Sequence, residues 1–144
     1  VLRAGLSDAD FQALVPTTLQ PRQVFFGGVR AFDAPELEFV QRHGIPVFAP
    51  DALQADPSAL ARAVNDAGFS NVHVHLDLDV LEVDDFASSG FSSHGGLRLA
   101  TLEAVILALR EHLEIVSFAV TEFAPRNDTD LETVVRLVQL LEGQ

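Results

Sequence analysis

An α/β fold of three αβα layers around a mainly parallel sheet is predicted by three features of this sequence. Apolar strand-like runs alternate with stripes of helical period, the stretches between strands are long enough to be crossovers, and Gly or Pro punctuates most changes of element. With 144 residues, 48% hydrophobic and 21% charged, residues 1–144 are expected to form one domain with no second one.

The elements follow in order. Ser7 and Asp8 can cap a short helix through Leu14, and Pro16 and Pro21 bracket a connector. Val24 to Val29 reads as a buried strand whose Gly27 and Gly28 mark close backbone approach. Asp33 caps a helix with Pro35 in its first turn, which carries Leu37, Val40 and Gln41 to a stop at Gly44. Ile45 to Phe48 is a short strand ended by Pro50. Asp56 and Pro57 open a helix in which Leu60, Ala63, Val64 and Ala67 recur at helical spacing up to Gly68.

Asn71 to Asp79 is a strand of strict alternation, Val72, Val74, Leu76 and Leu78 on one face and His73, His75, Asp77 and Asp79 on the other. Residues 80–96, rich in Ser, Asp and Gly, have loop composition. A helix from Leu99 to Leu113, a strand from Ile115 to Val120 and a last helix from Asp128 to Leu141 complete the pattern. Asp128 or Asp130 can cap that last helix, with Leu131, Val134, Val135, Val138 and Leu141 inward.

Composition excludes several function classes. Nine Lys plus Arg against 21 Asp plus Glu give a net charge of −12, which repels nucleic acid and anionic membrane surfaces. No Cys is present, so a thiolate nucleophile and a Cys-based metal site are out, and Asp, Glu and His remain as metal ligands. Without a signal-peptide pattern or a membrane-length apolar run, a soluble, cytoplasmic protein is expected. A chain that starts at Val1 and contains no Met is expected to be processed, cut or excised from something longer.

In open α/β sheets function gathers beyond the carboxyl ends of the strands, where two strands here end in carboxylates. Asp77 and Asp79, about 7 Å apart along an extended strand, need a cation, a cluster of donors or a shared proton. His73 and His75 share their face, so one reading is a metal-lined pocket and the other is solvated or turn-capping side chains. Glu122 ends the second strand. A carboxylate there suits a cationic group such as guanidinium, although a pair with Arg126 or a helix cap is the alternative. His94, before Gly95 and Gly96, is either a residue of the pocket mouth or a solvated loop side chain. His43 and His112 sit at helix ends, where a cation favours the dipole. Ser88, Ser89, Ser92 and Ser93 lack a nucleophile-elbow context and read as turn formers. Gly27 and Gly28 are not followed by a phosphate-loop pattern.

The stretch HLDLDVLEVDDFASSGFSSHGGL, from His75 to Leu97, resembles the D-x-D region of the arginase and agmatinase family of manganese ureohydrolases. Phe26-Gly27-Gly28-Val29-Arg30 resembles that family's strand ending in G-x-R, and Thr121-Glu122-Phe123-Ala124-Pro125 its E-x-N-P segment, in the same order. The resemblance implies that Asp77 and Asp79 are metal ligands and that Glu122 helps to hold the guanidinium or equivalent group; His75 and His94 are possible pocket residues on the residue pattern, and no catalytic residue is assigned. It further implies two Mn²⁺ ions activating a bridging water for hydrolysis of C–N bonds in guanidino or amidino compounds. Departures stand at His75 (commonly Ser or Thr), Glu82-Val83 (D-P), Ala87 (Pro) and Ala124 (Asn), and they bear on loop conformation and substrate.

The family's early His ligand and its D-x-H-x-D motif have no counterpart here, so the chain resembles the carboxyl-terminal half of a ureohydrolase. On that resemblance the absent strand bearing D-x-H-x-D lies between the two strand pairs present. The fragment is then expected to bind Mn²⁺ weakly or not at all, to be inactive alone, and to have as partners its missing amino-terminal half, further copies in a homo-oligomer and a small guanidino or amidino substrate. Two competing readings are a noncatalytic α/β interaction module or degenerate relative, and an α/β domain binding Mg²⁺ and a phosphorylated ligand, against which the lack of a phosphate loop counts.

Overall fold

The computed structural model of the chain describes Leu14 and residues 17–90 and 93–144. Apart from Leu14, the helix expected over Ser7 to Leu14 lies outside the described residues. Contacts divide the chain into two compact units, Val1–Phe26 with Ala31–Val47, and Gly27–Arg30 with Phe48–Gln144.

In the first unit, helix α1 (Ala34–His43) forms where its end signals place it. Asp33 accepts the Glu36 amide at 2.8 Å while Glu36 accepts the Asp33 amide at 3.0 Å, a reciprocal box that satisfies two otherwise orphaned donors. Gly44 closes the helix in the left-handed region, φ 61°, and the Ile45 amide reaches back to the Val40 carbonyl at 3.1 Å. Val40 and Ile45 are buried, and Leu37 is exposed.

Strands β1 (Phe26–Gly27) and β2 (Val47–Phe48) are two-residue remnants of the longer runs expected. They pair through the Phe26 amide to the Pro46 carbonyl (2.9 Å) and the Gly28 amide to the Phe48 carbonyl (2.8 Å). Gly27 and Gly28 do mark close approach: a Cβ on Gly27 would lie 2.9 Å from the Leu60 side chain, and one on Gly28 would collide with the Val80 side chain.

The second unit holds the larger core. Helix α2 (Pro50–Ala55), not anticipated from the sequence, starts on Pro50 and fully buries Leu53. Helix α3 (Ala59–Asp66) begins after Asp56 and Pro57, with Ala61 and Val64 buried. Strand β3 (Asn71–Asp77) pairs in parallel with β4 (Glu114–Thr121), with an irregularity between Val72 and His73. Between them run a 3₁₀ turn (Leu78–Val80), the loop 81–98 and helix α4 (Leu99–His112), which buries Leu102, Val105, Ile106, Ala108 and Leu109. A right-handed crossover is the expected linkage of such a parallel pair.

Helix α5 (Asp128–Glu142) is capped by Asn127, whose side chain accepts the Asp130 amide at 3.0 Å, rather than by Asp128 or Asp130. Val134, Leu137 and Leu141 are buried, whereas Leu131 and Val135 are exposed, so the buried stripe is narrower than the apolar one. At its far end Arg110 donates to the Leu141 carbonyl at 2.7 Å, covering an acceptor the helix leaves open. Among the described residues no helix is long and apolar enough to cross a membrane.

Candidate functional site

The β3–β4 register sets Asp77 opposite Thr121, so Glu122 follows one residue beyond the carboxyl end of the neighbouring strand. β3 ends two residues earlier than expected. Asp79 lies in the 3₁₀ turn and not on the strand, and its amide donates to the Asp77 carboxylate at 3.3 Å. The turn follows from that bond, because a carboxylate at a strand end captures a free amide two residues on. Burial and then the nearby Asp77 charge push the Asp79 carboxyl above its ordinary range, while the Arg30 guanidinium opposes the shift.

Arg30 organises the backbone around these acids. It donates to the carbonyls of Asp79, of Leu81 (3.4 Å) and of Ser93 (3.3 Å), joining the turn after Asp79 to the returning limb of the loop. Two glycines make room. A Cβ on Gly28 (φ 79°) would collide with Val80 and Leu97, and one on Gly96 would lie 2.5 Å from both Arg30 Nη1 and the Leu81 carbonyl. The loop therefore wraps a planar cation in a space that admits no extra methyl group.

Glu122 is exposed and is the one described residue other than Gly with positive φ, 59°, a region unfavourable for a side chain of this kind. Its carboxylate lies against Gly90, whose absent Cβ would stand 2.6 Å from Oε2. His75, also exposed, pairs through Nε2 with Thr121 Oγ1 at 3.2 Å, and His73 pairs with Ser117 at 2.8 Å. Both histidines thus engage hydroxyls of β4.

His94 is drawn instead to Glu82. Its Nδ1 lies 2.7 Å from one Glu82 oxygen, and the other accepts the amides of Gly95 (2.7 Å) and Gly96 (3.1 Å). The His94 bond, ahead of the two amides, holds the Glu82 carboxyl below its ordinary range. Donor atoms of Glu82, Asp84 and His94 lie within 4.8 Å of one another, the one such group found among the described residues. Since both Glu82 oxygens already accept bonds from the loop, the arrangement is a clamp on the Gly95-Gly96 turn.

The carboxylates of Asp77 and Asp79 have the chemistry a hard divalent cation requires. Two part-buried oxygen donors adjoin, and burial first, then the charge of Asp77, raises the proton affinity of Asp79. Two carboxylates fall short of the six or so ligands such an ion takes, so further donors are needed beside them.

A family model for the arginase family matches residues 7–143. The chain belongs to the arginase family. Its fold is similar to that of the Entamoeba histolytica arginase solved with L-ornithine (17% identity, TM-score 0.85), covering 97% of this chain and 49% of that one. The Bacillus cereus arginase is 26% identical, with a TM-score of 0.76 over 85% of this chain and 45% of that one. The proclavaminate amidino hydrolase of Streptomyces clavuligerus is 21% identical, with a TM-score of 0.71 over 84% and 41%. This arginase-family chain therefore spans less than half the length of the solved relatives it matches. No curated protein sequence matches it.

Sequence reasoning quoted Arg30 without assigning it a role, and it read Ser88 as a turn former although Ser88 is fully buried. The lone Arg two residues after a Gly-Gly pair was a readable signal for the first. For Ser88, whose partner Asp130 is 42 positions away, no local signal exists.

Proposed function

We propose that this chain is the carboxyl-terminal part of a binuclear manganese hydrolase acting on the C–N bonds of guanidino or amidino compounds. The observation that carries the reading is the placement of Asp77 and Asp79 at the carboxyl end of β3, beside the β4 end that leads into Glu122, within a chain of the arginase family. In this reading Asp77 and Asp79 hold metal, and Glu122 offers two oxygens to a planar cation in a bidentate pair. Bound manganese supplies an activated water at neutral pH. Arg30 fixes the backbone from which Asp79 projects, and the Glu82 clamp fixes the loop beside it.

The remaining metal ligands belong to the amino-terminal part of the protein, so the 144-residue chain by itself is expected to be inactive. That the chain covers less than half of each solved relative supports a further part of the protein. The test uses the full-length protein. Manganese content and urea release from arginine, agmatine and guanidinobutyrate are measured for wild type and Asp77→Ala. The variant is expected to lose metal and to lower kcat by more than about 100-fold, since even residues outside the ligand set cost about 10–100-fold at metal sites. Full manganese content with unchanged kcat would overturn the role. A full-length wild type that neither binds manganese nor releases urea would favour a noncatalytic module.

A further inference from the structure

Three consecutive residues of the loop, Ser88, Ser89 and Gly90, run alongside the segment that begins at Glu122. Ser88 is fully buried, with its hydroxyl donating to the Asp130 carboxylate and accepting the Arg126 amide at 3.1 Å. Its carbonyl accepts the Ala124 amide at 2.8 Å, and Ser89 forms an antiparallel bridge with Phe123. Just upstream, the Phe86 ring stacks with the Phe123 ring at 6.3 Å between centroids. Phe123, Ala124 and Arg126 are therefore held by the loop, and the left-handed φ of Glu122 is the kink through which β4 enters this held segment. Against that fixed backbone, Gly90 leaves the space occupied by the Glu122 carboxylate, 2.6 Å from where a Cβ would stand.

We propose that Ser88, Ser89 and Gly90 form a positioning ledge that fixes where the Glu122 carboxylate stands, and thereby determine how the site receives a planar cationic head group such as guanidinium. The assignment of Glu122 to that head group rests on the functional reading above; the ledge itself rests on the contacts just described. None of the three residues touches the reacting atoms in this account. They act through Glu122. A backbone held in a sparsely populated region persists only where its surroundings over-determine it, and the ledge supplies those surroundings. Asp130, in the first turn of α5, couples the ledge to that helix through the Ser88 hydroxyl.

The test compares Gly90→Ala, Ser88→Ala, Asp130→Ala and Asp130→Asn with wild type in the full-length protein. For Gly90→Ala the added methyl group has to displace the carboxylate, so KM for the best of arginine, agmatine and guanidinobutyrate should rise about tenfold while manganese content stays at the wild-type level. Ser88→Ala and Asp130→Ala should speed amide hydrogen exchange at Ala124 and Arg126, whereas Asp130→Asn, which keeps an acceptor for the Ser88 hydroxyl, should keep exchange slow. An unchanged KM in Gly90→Ala, or unchanged exchange at both amides in Ser88→Ala and Asp130→Ala, would overturn the ledge. If wild type releases no urea from any of the three compounds, the functional reading fails, and the exchange measurement still decides whether the ledge holds Ala124 and Arg126.

Discussion

Arg30 shows how one side chain can add order to a loop whose described residues form only isolated β-bridges. Its guanidinium is a rigid planar fork, and three carbonyls from Asp79, Leu81 and Ser93 converge on it. The carbonyls of Asp79 and Leu81 would otherwise depend on water in a part-buried space made tight by Gly28 and Gly96. Arg30→Ala should therefore destabilise the full-length protein by about 2 kcal/mol, the cost of leaving such acceptors without a charged donor. Arg30→Lys should recover less than half of that, because an ammonium cannot point donors along two limbs of the loop at once. Urea unfolding of both variants checks the pair of values; a lysine variant as stable as wild type would mean that only the charge matters.

At the scale of elements, the entry to α3 carries a pH dependence of definite sign. Asp56 accepts the Ser58 amide and hydroxyl, pairs with Arg62, and has its carboxyl lowered from 3.8 to about 2, chiefly by the Arg62 bond. A carboxyl with a depressed folded-state pKa stabilises the fold above its unfolded value and loses that contribution as pH falls through the folded one. The difference in unfolding midpoint between wild type and Asp56→Asn should thus be constant above about pH 5 and close as pH falls from about 4 towards 2. The pair is exposed, so the effect should be small and should weaken further in salt. A difference that grows on acidification would reverse the assignment.

The same scale explains what could be read from the sequence. Helix α1 was legible because both of its ends carry local chemistry, Asp33 with Glu36 and Gly44. Helix α2 was missed because Pro50 can end a strand or open a helix, and only the burial of Leu53 decides between them. In α5 the exposed Leu131 and Val135 look like core in sequence, and their apolar character says nothing about which neighbour is present to cover them. That Asp77 ends one strand and Glu122 follows the matching end of its neighbour was legible from the strand pattern. The bend that moves Asp79 off the strand was not, since it depends on a side-chain bond to its own amide.

For the whole molecule, the decisive quantity is the sheet left unpartnered. Parallel strands are stable when both faces are covered and their edges paired, yet among the described residues β3 pairs only with β4, and Val116 on β4 is 55% exposed. Unpaired strand edges leave backbone donors and acceptors that cost about 1–3 kcal/mol each wherever they are buried without a partner. Against a net stability of roughly 5–15 kcal/mol, a few such groups decide whether a domain folds alone. The net charge of −12 opposes close association of identical chains at low ionic strength, so salt should promote it. The 144-residue chain expressed alone is therefore expected to associate with itself or aggregate, increasingly as salt is raised, and, on the proposal that it is the carboxyl-terminal part of a longer enzyme, to become a soluble stoichiometric complex when the proposed amino-terminal part is supplied. Sedimentation velocity at low and high salt, with and without that part, measures this directly. A monodisperse monomer with cooperative unfolding in both salts would mean that β3 and β4 need no further strand.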